Sequence, residues 1–295
     1  KEVFFVKTFF RKVALEVLNV IFFNRVALYV YRRLALVDAV FVMYPATAKY
    51  ADHFTFRWRQ RRIRWSPFLI GYVKHPNEKV SLMFAISATE AHIHEPSYGE
   101  NVREMYASVD RVRERVNART SHFAGTLPSV LNRLRVRRPN NEQRATVENV
   151  LKAVSRIRSH YGHTSEVPVV IIGSNGYVGR VVAQTLAQEG VKVLGVDIGD
   201  EFPSVARSLV LNISRPEAIN GVLDVLGEGK VLLNEVYPPP PSDIIEALKE
   251  KGVPTHHIVG VHAESVPPFP GAYHGGAPCC AALPGVDYHV LIKEL

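Results

Sequence analysis

The chain is poor in sulfur, with two cysteines and three methionines in 295 residues. The two cysteines, Cys279 and Cys280, are neighbours. Adjacent cysteines close a strained ring if oxidised and cannot staple distant segments, so a disulfide framework is excluded and a reducing, cytoplasmic compartment is expected. Long apolar runs are also lacking. Residues 1–37 come nearest, yet Glu16, Asn19, Asn24 and Arg25 interrupt every window of about eighteen residues, so no transmembrane helix is expected. A signal peptide is not expected there either, because basic residues recur along the segment and no small-residue cleavage site closes it. No internal repeat is visible.

Acidic residues are scarce at one end. Residues 1–70 hold thirteen Lys and Arg against four Asp and Glu, a balance of +9 where the whole chain carries +8. The basic character therefore belongs to the N-terminal region alone. Residues 1–37 admit two readings, a pair of helices packed on the domain that follows or a basic amphipathic segment on a membrane surface. Packing is the expectation. Further on, Arg57-Trp58-Arg59-Gln60-Arg61-Arg62-Ile63-Arg64-Trp65 would place Arg57, Arg59 and Arg61 on one face if it were a strand. Arginines among tryptophans can grip nucleic acid, but no nucleic-acid module surrounds them. A solvated face, or a docking site for an acidic carrier protein or membrane surface, is expected instead.

The stretch that organises the chain is PVVIIGSNGYVGRVVAQTLAQEGVKVLGVD, Pro168 to Asp197. Val169 to Ile172 has the length and β-branching of a strand buried on both faces. The spacing Gly173-x-x-Gly176-x-x-Gly179 then leads into a helical pattern, and Val191 to Val196 reads as a second strand ending at Asp197. Strand, glycine turn, helix and strand within about thirty residues is the form of a dinucleotide-binding βαβ unit. One glycine permits the tight turn, the next lets backbone approach a pyrophosphate, and the third lets the helix pack close. The helix N-terminus offers N–H groups and partial positive charge to phosphate. Asp197 can bind both hydroxyls of the adenine ribose and would repel a 2′-phosphate, which favours NAD and leaves NADP as the alternative.

The fold class expected is α/β, a C-terminal Rossmann-type parallel sheet preceded by an α+β domain. The parse is N-terminal amphipathic helices over 1–37, an α+β substrate domain over 38–140, a linker helix over 141–163 and a dinucleotide-binding domain over 164–295. Strands are predicted in AVFVMYP, SPFLIGYVKHP and KVSLMFAISAT. A helix is predicted over 98–119, with Val102, Met105, Val109, Val112 and Val116 as its apolar stripe. Ser121 to Ser129 reads as a loop of small residues. His92-x-His94 on a strand would put both rings on one face, but no third ligand such as His122 stands at a diagnostic spacing, so no metal site is expected. Later strands are predicted over 209–213, 230–236 and 256–261, with helices over 216–226 and from Ser242 or Asp243 as cap to Gly252. Ligands of doubly wound sheets lie beyond the carboxyl ends of the strands. That rule places Asn234, Glu235, Tyr237, His262 and Glu264 on the cofactor side. The cofactor-binding candidates are therefore Gly173, Ser174, Asn175, Gly176, Tyr177, Val178, Gly179, Asp197, Glu235 and Tyr237.

Near the end, His274 stands five residues before Cys279 in a stretch rich in glycine and proline. A thiolate beside a histidine, or at a helix N-terminus beginning near Pro278, has a lowered pKa and becomes a nucleophile. The ordinary alternative is a pair of buried core thiols. Cys280, Cys279 and His274 are the catalytic candidates.

The order of an α+β domain, FLIGYVKHP near residue 70, HFAGTLPS near 125, a linker helix, the glycine unit and APCCAA near 279 resembles the long-chain acyl-carrier-protein reductases. The resemblance implies reduction of a fatty acyl thioester to an aldehyde by a nicotinamide cofactor through an acyl-cysteine, with Cys280 or Cys279 as nucleophile. From the two-domain layout, substrate is expected between the N-terminal domain and the far ends of the Rossmann strands. Short-chain dehydrogenases are excluded, because none of Tyr237, Tyr273 and Tyr288 has a lysine four residues on. Two further classes stay open. One is a two-domain amino- or keto-acid dehydrogenase using Lys49, Lys74 or His75, and the other is a non-catalytic nucleotide sensor.

Overall fold

The computed structural model describes residues 2–45, 51–52, 54–136, 141–269, 273 and 275–295. The chain divides into two compact units. Unit 1 comprises Lys1–Glu142, Ala263–Gly271 and Cys280–Asp287, and unit 2 comprises Gln143–His262, Ala272–Cys279 and Tyr288–Leu295. In chain order the first unit holds α1 (Glu2–Phe22), α2 (Arg25–Leu34), β1 (Ala39–Met43), α3 (Arg57–Arg62), β2 (Phe68–Lys74) and β3 (Val80–Ala85). It continues with α4 (Glu90–His94), α5 (Gly99–Arg115), β4 (Thr120–Phe123) and α6 (Leu127–Arg133). Then follow α7 (Asn141–His160), β5 (Val169–Ile172), α8 (Gly179–Gln188), β6 (Val193–Val196), β7 (Ser208–Asn212), β8 (Lys230–Asn234), α9 (Ser242–Glu250) and β9 (Thr255–Val261). The last strands are β10 (Glu264–Val266) and β11 (Val290–Glu294).

Unit 1 is an α/β sheet of order β10-β2-β3-β1-β4, with β3 and β4 parallel to β1 and with β2 and β10 antiparallel additions. The expected stripe of α5 is its core face. Val102, Met105, Val109 and Val112 pack with Phe84, Phe123 and Leu131 in one buried cluster that also takes Val116. Helix α1 docks on β2 through Asn19, which is buried. Its amide accepts from the Leu69 N–H and donates to the Leu69 carbonyl, both at 2.8 Å. A side chain thus bonds Leu69 on both sides, as a neighbouring strand would. The two helices expected of residues 1–37 are present, and no single helix among the described residues is long and apolar enough to cross a membrane.

Several local readings are corrected. Residues 57–62 are helical, so Arg59 is turned away from the side that Arg57 and Arg61, four residues apart, share; Arg57 pairs with Asp52 at 3.0 Å and Arg59 with Glu16. His92 and His94 also sit on a helix, α4, where two residues of separation turn their side chains apart. The cause is a capping box, in which the Thr89 N–H and hydroxyl meet His92 Nδ1. Thr120–Phe123 is a strand, not loop, because it completes the parallel ladder beside β1. Residues 216–225 form a 3₁₀ helix, and the N-cap of α9 is Pro241 with no side-chain bond.

Unit 2 is the Rossmann-type sheet, of order β11-β9-β8-β7-β5-β6. Strands β5 to β9 run parallel and β11 closes the edge antiparallel. Counted from β5, the parallel order is 2-1-3-4-5, the flavodoxin-like arrangement, whose switch point lies between β5 and β7. Glu264, placed by the sequence on the cofactor side, instead lies on β10 opposite Lys74 in unit 1.

The Asn19 contacts generate a test. Asn19→Ala strips the Leu69 backbone of two buried partners and is expected to lower unfolding free energy by about 1–3 kcal/mol. Urea denaturation showing no change would remove Asn19 as the anchor of α1.

Candidate functional site

The glycine turn stands at the switch point of unit 2. Gly173 has φ +92°, and a side chain there would meet Ser214, the second residue beyond β7, at 2.9 Å. A Cβ at Gly179 would lie 2.0 Å from the Gly173 carbonyl oxygen, and one at Gly176 would lie 3.0 Å from that same atom. The three glycines therefore pack on one another, with the Gly176 N–H bonded to the Gly173 carbonyl at 3.0 Å. Asp197, at the end of β6, clamps the turn. Its Oδ2 accepts from the Ser174 hydroxyl at 2.7 Å and from the Asn175 N–H at 3.0 Å. Helix α8 begins after Val178, which supplies no side-chain cap. Asn175 and Gly176 are exposed, and Tyr177 and Val178 are half-buried; the Tyr177 carbonyl accepts from Gln143 Nε2. An uncapped helix start behind an accessible glycine turn fits a dinucleotide pyrophosphate.

The next strand ends carry a polar ladder. Asn212 on β7, Asn234 on β8 and His257 on β9 stand side by side in register, each buried. Asn212 Nδ2 donates to Asn234 Oδ1 at 2.8 Å. Asn234 Nδ2 donates to the Val236 carbonyl at 2.7 Å and lies 3.0 Å from His257 Nδ1. Two successive apolar runs that end in asparagine, LVLN and VLLN, are the sequence signal for the ladder. Glu235 follows immediately. The residue as a whole is only half-buried, but its carboxyl is enclosed by protein and desolvation pushes its pKa up to about 8. Tyr237 is largely exposed and stacks on Tyr273 at 5.3 Å between ring centroids. A cavity of about 240 Å³ elsewhere in this unit is lined by Lys152, Arg156, Tyr288, His289 and Val290.

Unit 1 has its own cluster at the carboxyl ends of its parallel strands, one the sequence reading missed. The Tyr44 hydroxyl, just past β1, lies 3.0 Å from Thr126 Oγ1 and accepts from the Thr126 N–H at 3.0 Å. His94 Nε2 lies 3.0 Å from the same Thr126 hydroxyl. Burial raises the Tyr44 pKa, against the Thr126 hydrogen bonds, and the charges of Glu90 and, least of all, Cys280 push the same way. A phenol so held is a proton donor at neutral pH. These residues come from three distant segments, and only the tyrosine ending a strand pattern could have marked them.

The remaining candidates fall out as follows. Cys279 is buried and Cys280 half-buried. They sit on a three-residue 3₁₀ turn, too short for the helix N-terminus expected near Pro278 to activate a thiol. The division between units falls between them, Cys279 in unit 2 and Cys280 in unit 1. His274 and Lys49 lie outside the described residues. Lys74 is paired with Glu78 at 2.7 Å. His75 is buried 2.7 Å from Ser81 Oγ, and burial drives its pKa down to about 4. Lys74 ends β2 and His75 begins the turn into β3, at the opposite end of the parallel strands from Tyr44. His122 is buried in β4 with Thr120 at 3.0 Å. No group of His, Cys, Asp and Glu that could hold a metal occurs among the described residues.

No family model matches the chain, and no curated protein matches it. Among solved structures it is similar to a protein identified provisionally as a malic enzyme (malate oxidoreductase), with TM-score 0.39 and 16% identity over 76% of this chain. The alignment spans 65% of that protein, less than two thirds of its length. A bifunctional 5,10-methylenetetrahydrofolate dehydrogenase/cyclohydrolase from Thermoplasma acidophilum is similar at TM-score 0.35 and 15% identity, over 72% of this chain and 78% of that one. Neither is an acyl-carrier-protein reductase, and at such scores the likeness assigns no chemistry.

Glu235 carries a test of the site's electrostatics. Its folded pKa lies above the ordinary 4.5, so between the two values the folded chain holds a proton that the unfolded chain has lost. Its contribution therefore favours folding at acid pH and fades as pH rises towards about 8. Glu235→Gln is expected to gain stability relative to the unmutated protein at about pH 9 compared with about pH 6. Denaturation curves that shift equally at both pH values would show that the carboxyl is not held neutral.

Proposed function

We propose that the chain is a nicotinamide-dinucleotide-dependent oxidoreductase. The observation that carries this reading is the mutually packed glycine turn at the β5/β7 switch point, closed by Asp197. When bound, the nicotinamide group supplies or takes up a hydride. The rest falls to the protein. The turn and the uncapped start of α8 receive the pyrophosphate, and Asp197, with Oδ2 already engaged by Ser174 and Asn175, offers Oδ1 to the adenine ribose. A 2′-phosphate there would face the Asp197 carboxylate, so NADH is favoured over NADPH. Protonated Glu235 can donate a hydrogen bond at the strand ends of unit 2, and the Tyr44 hydroxyl, held by Thr126, is a separate proton donor within unit 1.

The finer reading, reduction of an acyl thioester, draws on Cys280, which is only half-buried and belongs with Tyr44 to unit 1. In that reading the Cys280 thiolate attacks the thioester carbonyl, a new C–S bond forms, and the C–S bond to the carrier breaks with the carrier leaving as its thiolate. Keto- or amino-acid chemistry through Lys74 or His75 finds less support, because one is ion-paired and the other is buried and neutral.

Two measurements test these assignments. Calorimetry is expected to give tighter binding of NADH than of NADPH, and Asp197→Ala should narrow that difference while weakening both through loss of the clamp. Tighter NADPH binding by the unmutated protein would overturn the ribose assignment. For the thiol, mass spectrometry after iodoacetamide treatment should find Cys280 modified before Cys279, with protection by long-chain acyl thioesters. Full thioester-reducing activity in Cys280→Ser would sink the acyl-cysteine reading while leaving the nucleotide assignment intact.

A further inference from the structure

The helices at the start of unit 1 are inverted relative to an ordinary surface helix, which turns its polar side to water. From residue 8 onward, the exposed positions of α1 are Phe9, Phe10, Arg11, Val13, Ala14, Val17, Leu18, Val20 and Ile21. Arg11 alone among them is polar. The polar residues of this stretch lie on the docked side. Asn19 bonds Leu69, Glu16 pairs with Arg59, and the Lys12 ammonium stands 5.4 Å from the Phe56 ring. Helix α2 continues the pattern, with Val26 71%, Tyr29 67% and Leu34 58% exposed. Thirteen of the nineteen exposed large hydrophobic side chains among the described residues fall between Phe9 and Leu36. Isolated exposed hydrophobic residues are ordinary, but a concentration of this kind marks a surface that is covered in use.

We propose that α1 and α2, together with α3, form a membrane-docking surface that seats unit 1 on anionic lipid, with the apolar face of α1 sunk to the level of the acyl chains. Three features select lipid. Thr8–Phe22 and Val26–Leu34 together have the length and hydropathy of a span but are bent by 77°, a shape suited to lying in one leaflet. The exposed charges around the apolar residues are basic: Arg32 and Arg33 at the end of α2, and Arg61 and Arg62 on α3. Such a collar attracts anionic headgroups and repels a second copy of the same surface. Tyr29 and Trp58 are exposed amphipathic aromatics of the kind that settle at the headgroup boundary. Helix α3 is tied to α1 through the Arg59–Glu16 pair and the edge contact of Phe9 with Phe56 at 6.0 Å.

Co-sedimentation with phosphatidylglycerol-containing vesicles tests the proposal on the full chain. The unmutated protein should bind them more tightly than pure phosphatidylcholine vesicles. Binding should weaken with salt, because exposed charges are screened beyond about 10 Å at 0.1 M. Val17→Glu with Val20→Glu changes only exposed side chains and should reduce partition by on the order of tenfold or more. Arg32→Ala with Arg33→Ala should reduce only the preference for anionic vesicles. In a Trp65→Phe background, Trp58 emission should shift to the blue when vesicles are added. Protein that stays in the supernatant with anionic vesicles at low salt would overturn the proposal. So would sedimentation velocity showing a dimer that Val17→Glu with Val20→Glu dissociates, without any vesicle binding.

Discussion

Backbone pressed on backbone at Gly173 is the constraint on which unit 2 depends. The carbonyl of Gly173 has Gly179 so close that even a methyl group would overlap it, so the first turn of α8 can only be glycine at that position. Because α8 is held that close to β5, β6 returns alongside and delivers Asp197 to the turn it came from. The carboxylate then fixes Ser174 and Asn175. On the other side of β5, β7 places Ser214 against Gly173, so the turn is packed from both flanks. The sheet order follows the same logic. With β6 at the edge and β7 on the opposite side of β5, the connections part at the carboxyl ends, and the glycine turn stands where they part.

Desolvation sets the charge state of three enclosed titratable groups. It raises the pKa of Glu235 and Tyr44 and lowers that of His75, which in every case favours the neutral form. Position then distinguishes the three. Glu235 and Tyr44 sit at the carboxyl ends of parallel strands in their respective units, where ligands of such sheets lie. His75 sits at the amino end, bonded to Ser81, and stabilises a turn. The Asn212–Asn234–His257 ladder obeys the requirement that buried polar groups find partners. It also makes a continuous hydrogen-bonded row at the end of β8, from which the loop beginning at Glu235 departs.

The parts of this architecture that were legible in the sequence are those whose pattern is long or doubly constrained. The run VVII, buried on both faces, and the triple glycine spacing each restrict the other. The stripe of α5 repeats over four turns. Shorter stretches misled. Over six residues such as RWRQRR, a two-residue period and a helical one cannot be told apart, and contacts with Asp52 and Glu16 settle the matter. For His92 and His94 the Thr89 cap decides. The strand ESV is three residues long and gains its identity only from pairing with β2. The Tyr44–Thr126–His94 cluster is assembled from segments that no local pattern connects, and Gly125 in the same loop reads from sequence merely as a turn.

The N-terminal helices show a different limit. Amphipathic spacing reveals that α1 has two faces, but not which face the fold takes. The deciding residue is Asn19. Its amide can donate and accept at once, and Leu69 on β2 presents both a carbonyl and an N–H to it. A valine in its place would bury a comparable volume yet leave both backbone groups without partners, a penalty larger than the gain from its hydrocarbon. The polar face is thereby drawn inward, and with it Glu16 towards Arg59. The aromatic and aliphatic residues at the intervening positions are then necessarily turned outward. The exposure of Phe10, Val17 and Val20 is therefore a consequence of how β2 is satisfied, and replacing them alters the outer surface of unit 1 without touching the bonds that hold α1 in place.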